Sequence, residues 1–235
     1  MGFDQSDDEG RCVRSLLATS DALLLDFDGP ICSVFAGYPA SIVANQLRDV
    51  LLHGGHTELP TEVEKTDDPF ELFKYAGMLG HDEAHYIEAA LRAYEVEAIA
   101  TAEPTPGAHD LIHGWVAGGR SLAVVSNNSA EAVESYIHRQ KLPYQDILIA
   151  ARESADPQLL KPNPYLIKSG IGKLGCSSSS SLLVGDSVTD IFAASAANVR
   201  SIGYANKPGK RAQLDEAGAD AVVESMEKLL RSIGP

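Results

Sequence analysis

The sequence predicts an α/β fold: a parallel sheet flanked by helices and interrupted by an all-helical stretch. Three observations predict it. Short, continuous apolar runs recur along the chain, the segments between them are long enough for helices, and from Ile31 to Pro104 such runs give way to apolar residues at helical spacing. Residues 1–20 read as a polar tail running into a short helix. Ala22-Leu23-Leu24-Leu25-Asp26-Phe27 then reads as a buried strand. Further strands are expected at Ser121 to Val125, Ile147 to Ala150, Ser181 to Val184, Ser201 to Ala205 and Ala221 to Val223. Each is separated from the next by a helix or loop, the pattern of parallel βαβ units with both faces covered.

In the central stretch, Ile42, Val43, Leu47, Val50 and Leu51, then Ile87, Leu91, Tyr94 and Ile99, follow helical spacing. Turn residues mark its edges, Gly29-Pro30 at entry and Pro104-Thr105-Pro106-Gly107 at exit, as expected of two linkers able to hinge. The expected division is therefore a core of residues 1–30 and 105–235 and a helical insert of 31–104. The serine run Ser177 to Ser181 reads as a solvated connection.

Composition narrows the function. The 235 residues carry 19 Lys and Arg against 33 Asp and Glu, a net charge of −14, which argues against nucleic acid or an anionic membrane as partner. No apolar run approaches the ~18 residues of a membrane span. Three cysteines without a CxxC pair suggest neither a disulfide framework nor a zinc cage. The acidic start lacks the basic-then-apolar order of a secretion signal. Met1-Gly2 with Ser6 formally fits a myristoylation pattern, but no basic patch supports it. A cytoplasmic location is expected.

In open α/β sheets, ligands bind beyond the carboxyl ends of the strands. Four such places carry reactive groups. Asp26-Phe27-Asp28-Gly29 follows the first strand, with both carboxylates on one side by alternation. Ser126-Asn127-Asn128-Ser129 leads into a helix whose first N–H groups could receive an anion. Lys161 precedes a helix expected near Asn163, and Gly185-Asp186 through Asp190 follows another strand. Four carboxylates at one site repel each other unless a cation sits among them, and an oxygen-only donor set suits Mg²⁺. A metal, a lysine, a hydroxyl and helix N-termini around one carboxylate suit phosphoryl transfer.

The ordered set Asp26-x-Asp28-Gly29, Ser126, Lys161-Pro162 and Gly185-Asp186-x-x-x-Asp190 resembles the four motifs of the haloacid dehalogenase-like superfamily. The stretch Ala217 to Val223, after the loop Lys207-Pro208-Gly209, is similar to its phosphoglycolate phosphatase-like branch. The resemblance spans roughly residues 22–230, with the weakest match in the insert. It implies a Rossmann-like core with a helical cap, and a Mg²⁺-dependent phosphomonoester hydrolase acting on a small soluble phosphorylated metabolite. Asp26 would attack phosphorus, and Asp28 would act as general acid and then general base. Ser126, with the neighbouring Asn127 amide, would hold phosphoryl oxygens, and Lys161 would neutralise the nucleophile and the phosphoryl group. The metal set would be Asp26, the backbone carbonyl of Asp28, Asp186 and Asp190. The acid at Asp28 favours phosphoryl transfer over dehalogenation. Pro30 stands where relatives commonly carry Thr, which removes a hydroxyl and an N–H beside the site.

Two other readings stand beside the phosphatase: a sugar phosphomutase similar to the β-phosphoglucomutase branch, and a non-catalytic binding relative. Gly170 to Gly175 matches G-x-G-x-x-G but follows a helical pattern, so no dinucleotide site is assigned. His81 and His85 lack a third ligand and read as a surface pair. His53-Gly54-Gly55-His56 reads as a helix terminus, Cys32 as a small buried side chain and Trp115 as core. Lys74, Tyr75, His85 and Arg92 are left without a role, because their facing directions are open. The charge is uneven: the insert holds thirteen acids against four bases, whereas the two core pieces after residue 9 hold sixteen against fifteen. An acidic lid over a near-neutral core suits a neutral or cationic leaving group.

Overall fold

The structure is a computed structural model and describes residues 5–233. Met1 to Asp4, where the acidic tail and the Met1-Gly2 pattern begin, lie outside the described residues. The chain opens with α1 (Gln5–Ala18) and β1 (Ala22–Leu25), and a short β2 (Cys32–Ser33) leads into α2 (Ala40–His53), α3 (Thr61–Lys65), α4 (Pro69–Leu79) and α5 (His81–Ala98). It returns through β3 (Glu103–Pro104) to α6 (Ala108–Ala117), β4 (Ser121–Ser129), α7 (Ala130–Arg139), β5 (Ile147–Arg152) and α8 (Tyr165–Leu174). The last part comprises β6 (Ser181–Gly185), α9 (Val188–Ala196), β7 (Arg200–Tyr204), α10 (Lys210–Glu216), β8 (Ala221–Val223) and α11 (Met226–Ser232).

Six strands form one parallel sheet in the order β5-β4-β1-β6-β7-β8. All six are the apolar runs of the sequence. The period of two splits each strand between two cores: Leu23, Leu25, Leu122, Val124, Leu182 and Val184 join one cluster, while Leu24, Ala123, Val125 and Leu183 join the other. Helices α1, α6, α7 and α11 cover the first face, and α8 and α9 the second. Trp115 anchors α6 with its indole N–H on the Ser121 carbonyl and is fully buried. The helix after Lys161 starts at Tyr165, later than expected, because Pro162 and Pro164 cannot donate to it and Asn163 Oδ1 accepts the Tyr165 N–H.

Both linkers of the helical segment pass through one small antiparallel ribbon, β2 against β3. Thr105 joins them: its N–H donates to Ile31 O and its hydroxyl to Gly29 O at 2.6 Å. Helices α2–α5 then pack around their own cluster, with Val43, Leu47, Leu51, Leu72, Phe73, Ile87 and Leu91 buried. Four residues of the expected apolar set depart from it. Ile42 is exposed, Val50 and Tyr94 only flank the cluster, and Ile99 packs into the sheet core, because the chain has already turned back there. His53 ends α2, and Gly55 takes a φ of 95° in the turn. Two residues of the loop before α8, Leu160 and Ala155, pack into the helical cluster. Among the described residues, no helix is long and apolar enough to cross a membrane.

Leu160 thus ties a core loop to the helices. Leu160→Ala is expected to cost about 2–4 kcal/mol, because it leaves a cavity among α2–α5. Urea unfolding of the variant checks this through the shift in midpoint at constant slope.

Candidate active site

At the carboxyl ends of β1, β4 and β6, the structure brings all seven sequence-predicted residues around one cavity of about 280 Å³. Asp26, Asp28, Ser126, Asn127, Lys161, Asp186 and Asp190 line its floor, and Asp68, Phe70, Glu71 and Lys74 its helical side. A larger cleft of about 660 Å³ between α5 and residues 153–157 holds none of the seven. Among the described residues, the single cluster of side chains able to share a metal ion is Asp26, Asp186 and Asp190, whose oxygens lie within 4.8 Å of one another. The Asp28 carboxylate lies outside that cluster.

Asp26 continues β1, with its N–H on Val184 O of β6. Its Oδ1 accepts from Phe27 N–H at 2.8 Å and Lys161 Nζ at 2.7 Å, while Oδ2 carries neither bond. Burial, then Asp190 and Asp186, push the Asp26 carboxyl well above its usual range against the pull of Lys161. Lys161 also donates to Val125 O and lies 2.6 Å from Asp190 Oδ1. Burial opposes its charge, yet Asp190 and Asp26 outweigh burial and hold the ammonium firmly protonated. The Asn127 side chain brackets Lys161 by accepting its N–H at 2.8 Å and donating to its carbonyl. That side chain therefore positions the lysine, a task the sequence reading did not assign to it.

Asp190 is aimed by a capping box at the start of α9. The Ser187 N–H and hydroxyl both donate to its Oδ2, leaving the buried Oδ1 without a well-directed hydrogen bond. Gly185 permits this close fit, since a Cβ there would sit 2.4 Å from Asp190 Cβ. Gly29 has a φ of 107°, and its missing Cβ would lie 2.5 Å from Asp186 Cγ. Asp186 Oδ2 accepts from Asn206 and Lys210. Asp28 is half-buried, and its Oδ1 accepts the Val34 N–H at 2.9 Å. Its carboxyl is pushed up to about 6, chiefly by burial and then by Asp186, against the Val34 bond and Lys207 and Lys210. Thr105 supplies a hydroxyl on Gly29 O, next to Pro30.

At the start of α7, Glu95 of α5 accepts the N–H of the capping residue Ser129 at 2.9 Å, and the Ser129 hydroxyl accepts the Ala132 N–H. Arg152, Glu88 and Glu95 were missed, as were Asn206 and Lys210. The rule of strand ends would have reached Arg152 and Asn206, which follow the apolar runs of β5 and β7.

The family model for "haloacid dehalogenase-like hydrolase" matches residues 64–204. This chain belongs to that family. A phosphoglycolate phosphatase of Cupriavidus necator is 28% identical over 231 residues, covering 95% of this chain and 88% of the relative. A hydrolase from Pseudomonas syringae superposes with a TM-score of 0.66 at 18% identity, covering 90% of this chain and 97% of its own. CbbY from Rhodobacter sphaeroides, in complex with phosphate, superposes with a TM-score of 0.64 at 21% identity, covering 91% and 99%. The last two show the fold.

A carboxyl raised from 3.8 to about 6 binds its proton more tightly folded than unfolded. Its contribution to stability is complete below pH 4 and is lost as the pH rises through 6. Asp28→Asn should therefore stabilise the metal-free protein by about 1 kcal/mol at pH 7.5, after allowance for solvent screening. No gain is expected at pH 4. Thermal unfolding in EDTA at the two pH values provides the check.

Proposed function

We propose that the chain is a Mg²⁺-dependent phosphomonoester hydrolase that works through an aspartyl-phosphate on Asp26. The observation that carries this reading is the buried run Asp26–Lys161–Asp190, with Asp186 beside it, in one small cavity. The residues fit a divalent cation. Four carboxylates face two ammonium groups, Lys161 and Lys210, and the donors are oxygens only. Asp26, Asp186, Asp190 and the Asp28 carbonyl would hold Mg²⁺, which would offset the charge gathering on the phosphoryl oxygens.

Asp26 would attack phosphorus through the oxygen free of Phe27 and Lys161. Lys161 would favour the ionised form of Asp26 and neutralise a phosphoryl oxygen, while the Ser126 hydroxyl and the Asn127 amide hold others. Asp28, raised to about 6, would donate its proton to the departing alkoxide oxygen. It would then take a proton from the water that attacks the acyl phosphate, releasing inorganic phosphate and restoring Asp26.

Residues 31–104 would serve as a cap that excludes bulk water and meets the leaving group. Its side of the cavity presents Asp68, Phe70, Glu71 and Lys74, with Lys74 already paired to Glu71 at 2.8 Å. That balance favours a small neutral or amine-bearing alcohol over a carboxylate, although the Cupriavidus necator relative is named for phosphoglycolate.

Asp26→Asn is expected to lower phosphate release by about 10³-fold or more, with the circular dichroism spectrum unchanged. Near-full activity would overturn the nucleophile. EDTA should silence the wild-type enzyme and Mg²⁺ restore it. In a panel of monophosphates assayed by kcat/KM, neutral and amine-bearing alcohols should lead. Phosphoglycolate in first place would overturn the leaving-group reading alone.

A further inference from the structure

Behind the turn-like end of β4, Ser126–Ser129, where its register against β5 shifts, lies a second buried charge cluster. Arg152 closes β5 and is 4% exposed, while Glu95 and Glu88 of α5 are 0% and 8% exposed. The guanidinium uses every nitrogen: Nε donates to Asn127 O at 3.0 Å, Nη1 pairs with Glu88, and Nη2 donates to Glu95 Oε2 at 2.6 Å. Glu95 spends both oxygens on the same turn, accepting Asn128 Nδ2 at 3.1 Å on Oε1 and the Ser129 N–H on Oε2. Asn128 passes this on, for its Oδ1 accepts the Ser126 hydroxyl and its N–H donates to Ser126 Oγ. The outer oxygen of Glu88 faces Arg92, which also reaches Glu131 of α7.

We infer that Arg152 and Glu95 are positioning residues, which set the Ser126 hydroxyl and the Asn127 main chain for the phosphoryl group from behind. Packing alone does not call for such a cluster. Desolvating three charged groups is costly, and apolar residues of similar volume would fill the same space at no such cost. What the cluster supplies is direction, since a planar guanidinium and a bidentate carboxylate fix main-chain and side-chain atoms of one turn together. Glu88 and Glu95 come from the helical segment. The phosphate-binding turn is therefore built jointly, and α5 remains seated on the core whenever the turn is in its working shape. Two of the thirteen acids of residues 31–104 belong to this cluster, so the acidity available to the substrate side is smaller than the sequence count implies.

The inference rests on the reading that Ser126 and Asn127 hold the phosphoryl group. It is tested on the full chain with Mg²⁺, using Arg152→Lys, Glu95→Gln and Glu95→Ala, with Leu229→Ala in α11 as a variant destabilised away from the site. For each folded protein, kcat, KM, the inhibition constant of inorganic phosphate and the melting temperature are measured. Arg152→Lys should raise KM and the phosphate constant about 10-fold or more, because a displaced turn loses alignment with its ligand. Glu95→Gln should raise them about 3-fold, and Glu95→Ala more than Glu95→Gln, since the amide keeps one acceptor of the two. Leu229→Ala should lower the melting temperature and leave the phosphate constant alone. A phosphate constant within about 2-fold of wild type in any folded Arg152 or Glu95 variant would overturn the positioning role. Should Arg152→Lys and Glu95→Ala fail to fold, Glu95→Gln alone decides by the same threshold. If that happens while Asp26→Asn is inactive, the mechanism stands and this inference falls. If phosphate binding weakens as expected but Asp26→Asn keeps its activity, the mechanism falls instead.

Discussion

The architecture depends on the burial of Lys161 between Asp26 and Asp190. Carboxylates at the end of a fully apolar strand are costly to ionise, and a single ammonium at 2.6–2.7 Å from both makes the arrangement tolerable. Much of the surrounding structure serves that one contact. The Asn127 side chain grips the lysine's main chain, Ser187 turns Asp190 toward it, and Gly185 and Gly29 leave space for the carboxylates to come together. In the proposed mechanism, a bound cation would offset the carboxylates further and make the site receptive to a phosphoryl group.

A second principle of construction is that polar residues of the turns are shared between segments distant in sequence. Thr105 closes the entry linker onto the exit linker, Asn206 and Lys210 hold Asp186 from the segment after the neighbouring strand β7, and Glu95 holds Ser129 across 34 positions. Each bond is modest on its own. Together they leave the reactive groups few alternative rotamers, which is how a fold with ordinary strand packing attains a fixed site.

The sheet was legible because its strands are buried on both faces and so read as unbroken apolar runs, from Ala22-Leu23-Leu24-Leu25 to Ala221-Val222-Val223. The seven residues around the cavity were legible because the ends of such strands are where side chains must converge. Ile99 was misplaced, since helical periodicity carries no signal for the point at which a chain leaves one cluster and enters another. Glu88 and Glu95 were invisible for a different reason: on a helix with a high content of charged residues they read as solvated, and only the approach of Arg152 from β5 makes them interior. The family match begins at Glu64, downstream of Asp26 and Asp28, so the first aspartates rest on the sequence pattern and the geometry.

Leu160 stands one residue before the lysine and packs inside the cluster of α2–α5, with the nearby Pro157 against Gly77 of α4. The helical segment is therefore not a detachable cassette in this chain, because a piece of its interior is encoded some sixty positions beyond its exit, next to a reactive group. Transplanting a relative's helices between Ile31 and Pro104 would bring a new recognition surface but leave Leu160 without its complement. Point replacement at Asp68, Glu71 or Lys74, which line the cavity from the helical side, would change the lining and leave Leu160 in its place.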